Sequence, residues 1–205
     1  ISYMLGYTAF QRSYYDIAES YYEKALGHFQ ATNKLYHIGA TNQMLGILAY
    51  RTGKFDESAE YLGFARIYFD KCGNKQGIIQ SDIGTARVSI FREGFEQARK
   101  ILARTFKESQ AINFKRGMAI SAEFLGEACY HLGDYAASLR HLEHAEKLAL
   151  ELAPSGDHAV EVYRRLGDLF IARGELDRAE TALSKARDVG MHLQDRYELG
   201  TIYRA

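Results

Sequence analysis

The chain has 205 residues, 47% of them hydrophobic, and 26 Lys and Arg balanced by 26 Asp and Glu. That neutrality argues against a nucleic-acid or anionic-membrane footprint, and no apolar run reaches bilayer-spanning length. The two cysteines, Cys72 and Cys129, fall on different predicted helices, which argues against a disulfide framework and for a reducing, cytoplasmic setting. With a single proline, Pro154, and apolar spacings of three and four, the chain reads as helical throughout. The predicted helices come in pairs: 1–12 and 15–31, 35–52 and 55–72, 76–92 and 95–112, 116–132 and 135–152, 158–173 and 176–190. One more begins near Asp195.

Turns punctuate this pattern at regular places. Within pairs they read Thr52-Gly53-Lys54, Leu132-Gly133-Asp134 and Arg173-Gly174-Glu175, with Gly supplying a left-handed helix end. The third pair has Glu93-Gly94-Phe95, with its Gly one place later, and the first has Ser13-Tyr14-Tyr15 with none. Between pairs lie Thr32-Asn33-Lys34, Gly73-Asn74-Lys75, Asn113-Phe114-Lys115 and Pro154-Ser155-Gly156-Asp157. Such short connections make neighbouring helices antiparallel.

The pairs repeat in sequence. Small residues stand at Ala18, Ser58, Ala98, Ser138 and Ala179, separated by 40, 40, 40 and 41 residues. A second series runs through Ala25, Ala65, Thr105, Ala145 and Ala186, and a third through Gly6, Gly46, Ala86, Gly126 and Gly167. A period of this length marks stacked supersecondary units, none of which buries its apolar face alone.

These residues resemble the tetratricopeptide repeat. Leu5-Gly6, Ala18, Tyr22 and Ala25 match its pattern, as do Leu45-Gly46, Ser58, Leu62 and Ala65. So do Leu125-Gly126, Ser138, Leu142 and Ala145, and Leu166-Gly167, Phe170, Ala179, Leu183 and Ala186. Thr85-Ala86, Ala98, Leu102 and Thr105 form a degenerate copy, and Leu199-Gly200 with Tyr203 opens a sixth. The family's first-helix Trp and closing Pro are absent, and the period is longer than its usual one, as in its long-helix subgroup. That subgroup serves signalling adaptors and bacterial regulators. The stretch Leu193-Gln194-Asp195-Arg196-Tyr197-Glu198-Leu199-Gly200 resembles arrays in bacterial transcription regulators and signalling kinases.

The resemblance implies an all-α fold, a right-handed superhelical solenoid of antiparallel helix pairs. It implies a single array with repeats at 1–34, 35–74, 75–114, 115–156 and 157–193, then a partial repeat at 194–205. It also implies that first helices line a concave face. Its inner positions would be Tyr3, Gln43, Ile83, Glu123 and Arg164 in one column, and Tyr7, Ile47, Arg87, Glu127 and Asp168 in the next, with Tyr50 and Tyr130 a turn further along. Tyrosine suits peptide recognition, being rigid with a polar tip. The charges have a second reading: Arg87 pairing sideways with Glu127, and Glu123 with Arg164, as exposed links worth roughly 0–1 kcal/mol each. Chaperone-binding members clamp a terminal carboxylate with Lys, Arg and Asn, whereas the corresponding places here hold Tyr3, Tyr7, Gln43 and Ile83.

No catalytic residue, cofactor or metal site stands out. His141 and His144, with His131 nearby, lie outside the packing pattern and read as surface residues rather than metal ligands. Cys129 occupies a core position and reads as a small hydrophobe; Cys72 has no base beside it. No phosphate loop, dinucleotide fingerprint or hydrolase elbow occurs. The sequence therefore points to a non-catalytic scaffold that binds a peptide or partner helix in its groove, as part of a larger signalling or regulatory protein. The alternative is a ligand- or peptide-sensing module of a bacterial transcription regulator or signalling kinase. The pattern is already running at Ile1 and still running at Ala205, as expected of a segment of a longer array, and exposed terminal repeats are expected to self-associate.

Overall fold

The computed structural model describes residues 1–153 and 156–193. The Pro154 turn and the partial sixth repeat, with Leu199, Ile202 and Tyr203, lie outside the described residues. Those described form ten helices and no strand: α1 Ser2–Gln11, α2 Tyr15–Ala31, α3 Leu35–Arg51, α4 Phe55–Lys71, α5 Lys75–Phe91, α6 Phe95–Ala111, α7 Lys115–His131, α8 Tyr135–Leu152, α9 Asp157–Ala172 and α10 Leu176–Leu193. Each bound lies within a few residues of the one expected from periodicity. The fold is all-α and tetratricopeptide-like. It divides into two compact units, Ile1–Arg92 with α1–α5 and Glu93–Ala205 with α6–α10.

Turn geometry explains where α1, α3, α7 and α9 stop. After α3, Lys54 N–H reaches Ala49 C=O at 2.8 Å, and Gly53 stands between them at φ 79°. The same closure joins Asp134 to Cys129, Glu175 to Phe170 and Tyr14 to Ala9. Each such turn needs a left-handed residue at one fixed place. The expected shift of that role to Gly94 does not occur: Glu93 takes it at φ 60°, while Gly94 lies at φ −80°. Ser13 does the same at φ 60°. At Ser13 the ring closed by Tyr14 N–H and Ala9 C=O fixes the position, so the residue there adopts the conformation although it is not glycine.

In the first unit Ala9, Ala18, Tyr22, Leu45 and Leu48 form a buried cluster joining α1, α2 and α3. Tyr22 is fully buried where later copies carry Leu62, Leu102 and Leu142. In the second unit Leu142, Ala145, Val160, Val162, Leu166, Leu169, Ala179 and Ala186 join α8, α9 and α10. Gly126 shows why the small positions matter. A β-carbon there would stand 2.5 Å from Leu142 Cγ and 3.3 Å from Ser138 C=O, so α7 and α8 meet nearly backbone to backbone.

Candidate interaction site

The first unit presents a largely neutral face on α1, α3 and α5. Tyr7 is exposed, and its hydroxyl accepts a hydrogen bond from Gln11 Nε2 at 2.7 Å. Tyr3 is half-buried, its ring 5.7 Å from that of Tyr22. Burial raises the pKa of the Tyr3 phenol, so it stays a neutral hydrogen-bonding group. Gln43 donates to Gln80 on α5 at 3.2 Å, linking two first helices, and Ile47 is half-buried one turn along. Tyr50 ends this row, with the Arg87 guanidinium 4.7 Å over its ring. Ile83, expected on the surface, is only 4% exposed and belongs to the core. Asp82 beside it is also buried and accepts from Arg66 Nε on α4 at 2.9 Å.

The second unit is charged, and its charges are organised around Arg165. This residue of α9 is buried, with Nη1 3.0 Å from Glu123 and Nη2 3.1 Å from Glu127, both on α7. It also pairs with Glu161 on its own helix, and its guanidinium lies 4.7 Å from the centre of the Phe124 ring. Burial alone would push the Arg165 pKa down. The carboxylates of Glu127, Glu161 and Glu123 outweigh that and raise it, so the guanidinium stays charged. Arg164 pairs with Asp168 at 2.8 Å and Glu161 at 3.5 Å along α9. Asp168, partly exposed, has a raised pKa because it is partly buried and faces Glu127, against the opposing pull of Arg164 and Arg165. Tyr130 is half-buried, and burial together with Asp168 raises its phenol.

Two expectations change here. Glu123 is not an exposed inner position: it is 2% exposed, beneath α9. Its partner is Arg165, not Arg164, whose ion pairs run along its own helix. The key residues missed, Arg165 and Glu161, left one signal in the sequence. In repeat register Arg165 follows Met4, Met44, Gly84 and Phe124, the first charge in a column uncharged through four copies.

Among the described residues no group of three or more His, Cys, Asp or Glu could hold a metal ion. His141 is half-buried, and His144 is exposed with its ring against Phe106. Burial, with the nearby Arg140 and His144, lowers the His141 pKa. Cys129 is buried and Cys72 exposed, both as free thiols.

A tetratricopeptide-repeat family profile matches residues 117–190, the stretch that contains α8, α9 and most of α7 and α10. The chain is a tetratricopeptide-like helical repeat protein. No curated protein matches its sequence significantly. Among solved structures it resembles the Rap conjugation gene regulator of the plasmid pLS20 in complex with the Phr* peptide, with TM-score 0.85 and 15% identity over 98% of this chain and 55% of that one. A Rap protein complexed with competence and sporulation factor matches with TM-score 0.79 and 17% identity over 98% of this chain and 56% of that one. The repeat protein thus spans about half the length of either. A putative kinesin light chain with TPR-like repeats from Podosopora anserina matches with TM-score 0.64 and 16% identity, over 94% of this chain and 95% of its own. At such identities the likeness is one of fold.

Proposed function

We propose that the chain is an interaction scaffold that binds a peptide or a partner's helix on the inner faces of its first helices. The observation that carries this reading is a set of side chains that packing covers only in part. Tyr3, Tyr7, Gln43, Ile47 and Tyr50 are exposed or half-buried in rows along α1 and α3. Glu127, Tyr130, Arg164 and Asp168 are half-buried along α7 and α9. Packing consumes the Leu and Ala positions, so these rows are free to vary for recognition. In the second unit the four carboxylates of Glu123, Glu127, Glu161 and Asp168 outnumber the two guanidinium groups of Arg164 and Arg165. That imbalance, with the Tyr130 ring beside it, favours a partner carrying a Lys or Arg there.

The likeness to a Rap regulator in complex with the Phr* peptide favours a peptide as ligand, and with it a second reading: a peptide-sensing module that regulates an attached effector. Both readings place the protein in the cytoplasm, in a signalling role.

Selection from a random peptide library, followed by calorimetry on the best binder, tests the proposal. Tyr7→Ala and Asp168→Asn are expected to weaken binding about 5- to 30-fold, the range of one lost contact, with melting temperature nearly unchanged. Glu60→Lys on α4, exposed and away from these rows, serves as control. Equal losses from the control would place the site on another surface.

We also propose self-association through an exposed apolar end face formed by α1 and α2. Leu5 is 43% exposed, whereas its counterparts Leu45, Leu125 and Leu166 are at most 4% exposed.

A further inference from the structure

His158 is the second residue of α9, and its side chain is 23% exposed. Its Nδ1 lies 3.7 Å from Glu123 Oε2 on α7. The other Glu123 oxygen lies 3.0 Å from Arg165 Nη1. One buried carboxylate is thus shared between a permanent cation and an imidazole, so one of its two partners titrates near neutral pH. The charged groups facing His158 are Glu123 and Arg116 from α7 and Asp157 from its own helix. Arg165, Glu127 and Glu161 make up the next layer.

We propose that His158 and Glu123 form a proton-dependent clasp holding the first turn of α9 against α7, closed when the imidazole is protonated and loosened when it is neutral. In the closed state the imidazolium and Arg165 together compensate a carboxylate that water scarcely reaches. In the neutral state Glu123 is left to Arg165 alone, which Glu127 and Glu161 also engage. The same proton offsets part of the carboxylate excess on this face, so pH sets its charge as well as its order.

The electrostatics agree in direction. Burial pulls the His158 pKa down, but Glu123, helped by Asp157, outweighs burial and the repulsion of Arg116, and the net shift is upward. A raised native pKa means that the proton binds the folded state more tightly. The added stability is therefore complete below about pH 6.5, the ordinary histidine value, and is lost as pH rises through the raised one.

Two measurements test the clasp. The first is an NMR titration of 13C-labelled histidines, with His158 among the seven assigned by its absence in His158→Gln. The wild-type imidazole is expected to titrate above about 6.5 and to move back toward that value in Glu123→Gln. The second compares melting temperatures of wild type and His158→Gln between about pH 5.5 and 8.5, on either side of that value. The wild-type advantage is expected at the acid end and should vanish at the alkaline end. Amide exchange at Val160 and Glu161 should quicken in step. A His158 that titrates at or below its ordinary value, or two parallel melting profiles, would overturn the proposal. Should Glu123→Gln fail to fold, the wild-type titration and the His158→Gln profile still decide it.

Discussion

Stability at the residue scale rests on positions where nothing larger fits. Ala145 is fully buried at the junction of α8 and α9, so Ala145→Leu is expected to cost about 1–3 kcal/mol through overpacking. Gly126→Val, driven against Leu142 and the Ser138 carbonyl, should do similar harm, and thermal denaturation measures both. The opposite sign is expected at Glu93, a non-glycine residue at φ 60°. Glu93→Gly relieves left-handed strain and should stabilise the protein by about 1 kcal/mol, less the entropy glycine adds to the unfolded chain. A lower melting temperature for that variant would mean that the Glu93 side chain contributes more than its backbone loses. The small-residue series was fully legible in the sequence because close helix contact permits few residue types. The left-handed positions were legible only in part: glycine marks them at Gly53, Gly133 and Gly174, but ring closure imposes the same geometry on Ser13, and Glu93 adopts it too.

At the scale of elements, the packing of α9 on α7 carries an ionic network. Arg165→Met would leave Glu123 buried without its guanidinium partner. The expected cost is about 3–5 kcal/mol, the range found when one member of a buried pair is removed. Arg164→Met should cost clearly less, because its partners Glu161 and Asp168 retain more access to water. Urea unfolding of both variants gives the comparison; equal losses would show that the two arginines share one role. The helices themselves could be read from sequence almost to the residue, since period, turn residues and small positions all agreed. The network could not. Periodicity fixes the angle at which Glu123 leaves α7, but not how far α9 covers it. Nor does it say whether Arg164 or its neighbour Arg165 turns inward.

Over the whole molecule, a repeat protein gains stability from contacts between neighbouring units, so a face without a neighbour carries apolar surface that repetition would otherwise cover. The outer side of α1 and α2 carries apolar surface of this kind. Ile1, Met4, Leu5, Tyr14 and Ile17 are all more than 40% exposed, and α1 holds no charged residue. The uncharged α1 part of this face meets a second copy of itself with little repulsion, which favours a symmetric pair. Light scattering or sedimentation over a dilution series should therefore show a mass that rises with concentration. Leu5→Glu should hold the protein at monomer mass across the same range, because pairing would then bury two like charges. Its melting temperature at low concentration should barely move, since Leu5 is 43% exposed in the single chain. Wild-type protein that stays monomeric at high concentration, or association that survives Leu5→Glu, would mean that this face does not drive self-association.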